Sequence, residues 1–283
     1  MNDVDILRQL LRSSQSAAFW RSETSKMEIL RYWNDELAKP RNSDPKRLLR
    51  YGFKTYSQND EDGIIEEIFR RIGINNRRFV EFGVENGFQC NTAKLLIEGW
   101  RGLWIEANSK MVVQMNEHFR PFISDGRLKL LESLVTAENI NSLFIKADLV
   151  GEIDILSIDI DYNDYWVWKA IEVIKPRVVV IEYNCSLRPP LSLVVPYEPT
   201  GIWKGGNYFG ASLEALVRLG RAKGYRIVGC SFAGTNAFFV RDELCRDLFL
   251  EPATAEEHYE PERYFMRLAP SGHPGRPGPY QAV

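Results

Sequence analysis

Val80-Glu81-Phe82-Gly83-Val84-Glu85-Asn86-Gly87-Phe88-Gln89-Cys90-Asn91-Thr92 decides how this 283-residue chain is read. A short apolar strand, Arg78 to Phe82, ends on an acidic residue and runs into a turn framed by Gly83 and Gly87. Glycine lets a backbone turn sharply and approach a ligand closely. A dinucleotide site would show G-x-G-x-x-G, with a pyrophosphate on the following helix N-terminus. Here the glycines frame a wider turn, and Glu85 would repel a pyrophosphate. An acidic residue beside the turn suits a ligand with a cationic amino group instead. The competing reading is a tight strand-to-helix turn that binds nothing.

Outward from this turn the chain alternates helix and strand. Periodicity predicts a helix over Gly63 to Ile72, with Ile64, Ile65, Ile68 and Phe69 on one face. Beyond the turn come a helix (Thr92 to Glu98), a strand (Gly102 to Ile105), a helix (Ser109 to Phe119) and a strand (Leu128 to Leu131). Then follow a helix (Ala137 to Lys146), a strand (Ile153 to Ile158), a helix (Tyr165 to Ile174) and the strand Arg177 to Ile181. That last strand is apolar throughout, as one covered on both faces should be. A long Pro- and Gly-rich loop leads to a helix from Ala211 to Lys223 and two strands, Tyr225 to Val228 and Ala237 to Val240. The segment Gly229 to Asn236 is long enough for a hairpin but not for a crossover helix. The fold expected is therefore α/β: a Rossmann-like seven-stranded sheet, mostly parallel with the last strand antiparallel, and helices on both faces.

Residues 1–50 carry helical spacing, first Ile6, Leu7, Leu10 and Leu11, then Met27, Ile29, Leu30 and Tyr32, and read as an N-terminal arm or cap. Residues 51–250 form the catalytic-type domain, and 251–283 a C-terminal extension whose end is a weakly structured Pro/Gly tail. The arm could support a homodimer or pack on the sheet as a lid.

A formal net charge of -2 argues against a dedicated nucleic-acid binder, which needs a basic face for phosphates. No apolar run approaches the roughly 20 residues of a membrane span. The charged N-terminus is no signal peptide, so a cytoplasmic location is expected. Cys90, Cys185, Cys230 and Cys245 show no C-x-x-C pair and read as free thiols rather than a zinc site.

In doubly wound sheets, ligands sit beyond the carboxyl ends of the strands. The second strand ends Trp104-Ile105-Glu106-Ala107-Asn108, and Glu106 lies 23 residues after Gly83. A carboxylate there is placed to accept hydrogen bonds from both ribose hydroxyls. The fourth strand runs into Asp159-Ile160-Asp161 and the fifth into Glu182-Tyr183-Asn184. Their side chains should be neighbours on the same edge. Hard oxygen ligands without His or Cys suit Mg²⁺ or another divalent cation. The bland alternative has Asp159 touching the cofactor, with Asp161 and Asp164 merely capping the helix near Tyr165; for Asp164 the N-cap is the better reading. Trp166, Trp203, Tyr208 and Phe209 could roof this edge and stack on a flat acceptor, while Trp168 belongs in the core. Arg188 and Lys204 read as solvated loop charges.

Ser57-Gln58-Asn59-Asp60-Glu61-Asp62-Gly63, the Glu81 to Gly87 turn, Trp104 to Asn108 and Tyr225 to Arg241 together resemble the FkbM-type family of class I S-adenosylmethionine methyltransferases, over roughly residues 50–242. The resemblance implies methyl transfer from S-adenosyl-L-methionine to a small-molecule or glycan acceptor, often a sugar or polyketide hydroxyl. It implies that Glu81, Gly83, Gly87 and Asn91 bind the cofactor's amino-acid side, Glu106 its ribose, and residues around Ser133 and Leu134 its adenine. The strand-end carboxylates also resemble metal-dependent sugar and macrolide O-methyltransferases. That implies Asp159 and Glu182 as metal ligands, Asn184 as a third, and Asp161 as general base. The chain departs from that pattern by carrying Glu-Tyr-Asn where paired aspartates would stand. Two other classes remain open: an NAD(P)-dependent oxidoreductase on a related sheet, and a non-catalytic binding module.

Overall fold

The structure, a computed structural model, describes residues 24–263, 275–276 and 278–283. The expected positions Ile6 to Leu11, and Pro270, Gly272, Pro274 and Pro277 of the tail, lie outside the described residues.

Seven strands form one sheet: β1 (Arg78–Phe82), β2 (Arg101–Glu106), β3 (Leu128–Glu132), β4 (Gly151–Ile158), β5 (Ile174–Glu182), β7 (Tyr225–Cys230) and β8 (Asn236–Arg241). Their order is β3-β2-β1-β4-β5-β8-β7. Pairing is parallel through β3, β2, β1, β4 and β5, and β8 is antiparallel to both β5 and β7. This is the Rossmann-like seven-stranded sheet, mostly parallel with its last strand antiparallel, expected from the sequence. The strand order reverses between β1 and β4, so the carboxyl ends of these two strands form the crevice of a doubly wound fold.

Period-two alternation divides each strand between two cores. Val80, Phe82, Leu156, Ile158 and Ile181 face one side. There they meet Phe144 of α6 (Ile140–Lys146), Trp168 of α7 (Asp164–Ala170) and Leu216 of α8 (Leu213–Ala222). Phe79, Trp104, Ile155, Val180 and Phe238 face the other. Their partners include Ile64 and Ile68 of α2 (Glu61–Ile72), Leu96 of α3 (Ala93–Ile97) and Met115 of α4 (Ser109–His118). The central strand β5 is buried along nearly all its length because both faces are covered.

Several boundaries differ from the sequence reading, β5 for example starting at Ile174 rather than Arg177. The helix expected from Ala137 begins at Ile140, after a turn. The helix expected to reach Ile174 stops at Ala170, where the Asn141 amide donates to the Ala170 carbonyl (2.8 Å) and accepts from Glu172 N (2.9 Å). That cap comes from a distant helix, so local sequence does not reveal it. The helix expected from Ala211 starts at Leu213, with the Ser212 hydroxyl accepting from Ala215 N.

The long loop after β5 contains a short strand, β6 (Leu193–Val194), paired antiparallel with β9 (Gln281–Ala282). The described end of the tail is thus ordered against this loop. Tyr280 Oη and Arg276 N bond Asn207, and the Tyr208 and Tyr280 rings meet edge to face. Near the N-terminus a helix, α1, covers residues 24–37. Its expected apolar positions Met27 and Leu30 are exposed, and contact is made by Trp33 stacked on Phe232. No helix among the described residues is long and apolar enough to cross a membrane.

Candidate active site

A cavity of about 630 Å³ opens at the carboxyl ends of β1, β2, β4 and β5, within the size range of small-molecule sites. The amino end of antiparallel β8 completes it. Glu81, the penultimate residue of β1, is almost wholly buried. It accepts hydrogen bonds from Asn91 N (2.8 Å), Ser157 Oγ (3.0 Å), Thr92 N (2.9 Å) and Thr92 Oγ1 (2.6 Å). Asn91 Nδ2 in turn donates to Ser157 Oγ (3.0 Å), and Trp104 Nε1 to Thr92 Oγ1 (2.8 Å). Glu81 is therefore the pin of the glycine turn, and burial raises its carboxyl above the ordinary range. Glu81 also lines the cavity.

The glycines serve the protein as well. Gly83 has φ +79°, and a Cβ there would lie 1.5 Å from the Asp159 carbonyl oxygen. Gly87 has φ +79°, and its Cβ would press on the Phe119 and Trp104 rings. Both belong to the turn that walls the cavity, but only Gly83 lines it. The Glu106 carboxylate accepts from Glu85 N (2.9 Å) and Asn108 N (2.8 Å). This orients it at the cavity edge with lone pairs still available. Ser133 and Leu134 line the same side, and Ser133 N donates to the Glu106 carbonyl (3.0 Å).

Asp159, Asp161 and Glu182 come together: one oxygen from each lies within 4.8 Å of the others. Asp159 and Glu182 are half-buried and Asp161 is more open. Asp161 sits at φ +63° and Glu85 at φ +51°, left-handed conformations that asparagine and aspartate tolerate better than most residues. Burial holds the Asp159 carboxyl well above its usual range, followed by repulsion from Asp161, Asp164, Glu81 and Glu85. Desolvation by the cavity walls raises Asp161 as well, followed by Glu85 and Glu106.

Asn184, expected here, has another duty. Asn184 is fully buried outside the cavity lining. Its Nδ2 donates to the Asn207 (2.8 Å) and Phe209 (2.9 Å) carbonyls and its Oδ1 accepts from Ser186 N (3.1 Å). The carboxamide is consumed in anchoring the long loop and leaves the metal set. Asp164, expected as an N-cap, is the first residue of α7 and accepts from Ile160 N (2.9 Å) across the Asp161 turn. Burial pushes it up to about 7.

Of the four aromatics expected to roof this edge, Trp203 and Phe209 line the cavity and Trp166 and Tyr208 do not, and Trp168 is in the core as expected. Arg188 and Lys204 do not line it. Gln58, Thr235 and Asn236 do, and the sequence reading gave them no role. For Asn236 the signal was topological: an antiparallel last strand must bring its first residue to the edge where the parallel strands end. Among the described residues the lining holds six carboxylates (Glu81, Glu85, Glu106, Asp159, Asp161 and Glu182) and no Lys, Arg or His.

No family model matches the chain, and no curated protein matches it. Among solved structures it is similar to magnesium protoporphyrin IX methyltransferase (ChlM) from Synechocystis PCC 6803 with bound SAM, at TM-score 0.42 and 11% identity, covering 64% of this chain and 77% of that one. It is also similar to an O-methyltransferase from Bacillus cereus in complex with SAH, at TM-score 0.40 and 13% identity, over 76% and 89% of the two chains. A third is the N-terminal domain of EvdMO1 with SAH bound, at TM-score 0.41 and 14% identity, over 76% and 94%. Likenesses this distant settle neither activity nor ligand, and the fold rests on the sheet order itself.

Proposed function

We propose that this chain is an S-adenosyl-L-methionine-dependent methyltransferase of FkbM type that O-methylates a hydroxyl of a sugar, glycoconjugate or polyketide-like acceptor. The observation that carries the reading is a cavity whose charged lining residues are all acidic, at the carboxyl edge of a methyltransferase-type sheet. A cofactor with an ammonium and a sulfonium suits such a lining, whereas the pyrophosphate of NAD(P) would face Glu85 and Glu106 without a basic partner.

The cofactor supplies a methyl group already activated as a sulfonium, leaving the chain to position the acceptor and remove a proton. The glycine turn, pinned by Glu81 and Asn91, receives the amino-acid end. Glu106 accepts from the ribose hydroxyls, and Ser133 and Leu134 flank the base. Asp161 stands at the mouth of the cavity with a raised carboxyl, a better proton acceptor than an ordinary surface aspartate. Asp159 orients the acceptor or the cofactor beside it.

The donor set Asp159, Asp161 and Glu182, all hard oxygen, also fits Mg²⁺ or a similar divalent ion. Such an ion would lower the pKa of a bound hydroxyl. The fit runs through Asp161 in place of Asn184. The domain limits 1–50, 51–250 and 251–283, the cytoplasmic location and the homodimer belong to this same proposal.

Isothermal titration with S-adenosylmethionine, S-adenosylhomocysteine, NAD⁺ and NADP⁺, each with Mg²⁺ and with EDTA, tests it. Micromolar binding of the first two, lost in Glu106→Ala, is expected. A preference for a nicotinamide nucleotide, or no binding of any of them, sinks the reading.

A further inference from the structure

On this reading one end of the cavity is left to the methyl acceptor, and its polarity is set by a residue buried behind it. Glu61, at the start of α2, is fully buried. Its Oε2 accepts from Asn59 N (2.8 Å), and its Oε1 accepts from Asn59 Nδ2 (3.0 Å) and Asn236 Nδ2 (3.0 Å). The carboxylate can only accept, so it fixes which way the Asn236 amide points. The NH₂ group faces Glu61, and among the described residues Asn236 Oδ1 has no partner although the residue is only 4% exposed and lines the cavity. A buried acceptor without a donor is costly, and its usual explanation is a group that arrives with the ligand.

What arrives is constrained by charge. The β5–β8 register sets Asn236 opposite Glu182, and Trp203 lines the same cavity from the long loop, 39% exposed. The cofactor brings an ammonium and a sulfonium against one carboxylate, a single net positive charge. Even with Glu81, Asp159 and Asp161 raised by burial, three further carboxylates, Glu85, Glu106 and Glu182, line the cavity against that single charge when no divalent ion is bound. We propose that the acceptor is itself a cation: a protonated amine on it docks on Glu182 and Asn236 Oδ1 beside the face of Trp203, while the methyl group goes to a hydroxyl elsewhere on the molecule. An ammonium offers three donors and no acceptor, matching a surface that only accepts. An aromatic face beside it adds a cation–π contribution. Phosphorylated or carboxylated acceptors are excluded by the same lining. Glu61 is a positioning residue in this scheme.

The inference rests on the cofactor reading, and calorimetry separates the two. The full chain, saturated with S-adenosylhomocysteine in EDTA at pH 7, is titrated with matched pairs: glucosamine and glucose, galactosamine and galactose, putrescine and 1,4-butanediol. In at least one pair the amine should bind about tenfold more tightly than its neutral partner. Glu182→Gln should reduce that preference to roughly threefold or less, as should Glu61→Gln, which frees the Asn236 amide to turn over. Titration of each preparation with S-adenosylhomocysteine reports whether it is folded. Failure of the wild type to bind S-adenosylhomocysteine sinks the cofactor reading. Binding of it with no amine preferred in any pair, with glucose 6-phosphate bound as tightly as glucosamine, or with the preference intact in both folded variants, overturns the cationic acceptor.

Discussion

Gly83 packs against the backbone of Asp159 so closely that no side chain fits between them: a Cβ would sit 1.5 Å from the Asp159 carbonyl oxygen. Gly83 N donates to the Ile105 carbonyl (3.1 Å) and Asp159 N to that of Phe82 (3.3 Å), so the ends of β1, β2 and β4 are tied at one point. Gly83→Ala therefore meets both a left-handed φ and a backbone collision. A loss on the order of 3 kcal/mol or more is expected in urea denaturation, with binding of S-adenosylhomocysteine abolished. Gly73→Ala is the control. Its φ of +72° and ψ of 162° favour glycine but nothing stands within 4 Å, so it should cost about 1–3 kcal/mol, less than Gly83→Ala. Equal losses in the two variants would show that conformation alone, not the approach to Asp159, demands the glycine.

Glu81 carries four hydrogen bonds from three residues of two elements, all donated to it. Glu81→Gln keeps the shape but turns an amide NH₂ toward donors. It should lose about 2 kcal/mol, and Glu81→Ala about 3 kcal/mol or more, since buried donors are then left bare. If Glu81 instead touched only ligand, the apo protein would keep its full stability in both variants, and only the affinity for S-adenosylhomocysteine would fall.

Asp154 and Arg177 form a buried pair at 2.7 Å near the opposite edge of the sheet. Asp154 also accepts from the backbone N–H groups of Asn75, Asn76 and Arg77, and Arg177 donates to the Gly73 and Ile72 carbonyls. Arg177→Met leaves the carboxylate buried without its counter-ion, for an expected loss of roughly 3–5 kcal/mol in denaturant melts. The affinity for S-adenosylhomocysteine of the remaining folded protein should not change. A loss below about 1 kcal/mol would mean that the three backbone donors suffice to hold the charge.

The sheet was legible because its signals are local and repeated. The apolar strands, the Gly83 to Gly87 turn and the short Gly229–Asn236 link each constrain topology within a few residues. Glu81, Glu106, Asp159, Asp161 and Glu182 were legible for a related reason: parallel strands deliver their last residues to one edge. What failed was long-range. Asn184 was placed by its position in sequence, but its carboxamide is taken by Asn207 and Phe209, more than twenty residues on. The cap that Asn141 supplies to α7, and the pairing of β6 with β9, likewise depend on partners that no local pattern announces. Asn236 and Glu61 show the same limit, because the amide's orientation exists only once α2 has packed behind β8.

All four cysteines are buried, and burial pushes the Cys90 and Cys230 thiols well up and Cys245 up to about 12. Thiolate is the reactive form, so the native protein at pH 8 should release almost no chromophore from a thiol-disulfide reagent within minutes. All four should titrate once guanidinium unfolds it. Rapid native reaction of even one thiol would show that part of the core opens readily.

The pH dependence of stability follows from the carboxylates at the cavity. Asp164 stands at about 7 against an ordinary 3.8, and Asp159 and Asp161 are raised with it. A carboxyl raised in the folded state favours folding while protonated. Its contribution is complete below about pH 4 and is lost as pH rises through its folded value. Stability in EDTA should therefore decline between about pH 5 and 8 in urea melts, and Asp164→Asn, which keeps the bond to Ile160 N, should flatten that decline. Divalent ion binding requires the ionised forms, so 5 mM Mg²⁺, a concentration chosen to be roughly saturating for a weak site, should raise the midpoint at pH 8 and have little effect at pH 5. An Mg²⁺ effect equal at both pH values, or surviving in Asp159→Asn with Glu182→Gln, would place the ion elsewhere. No effect at either pH would leave Asp161 as an unassisted base.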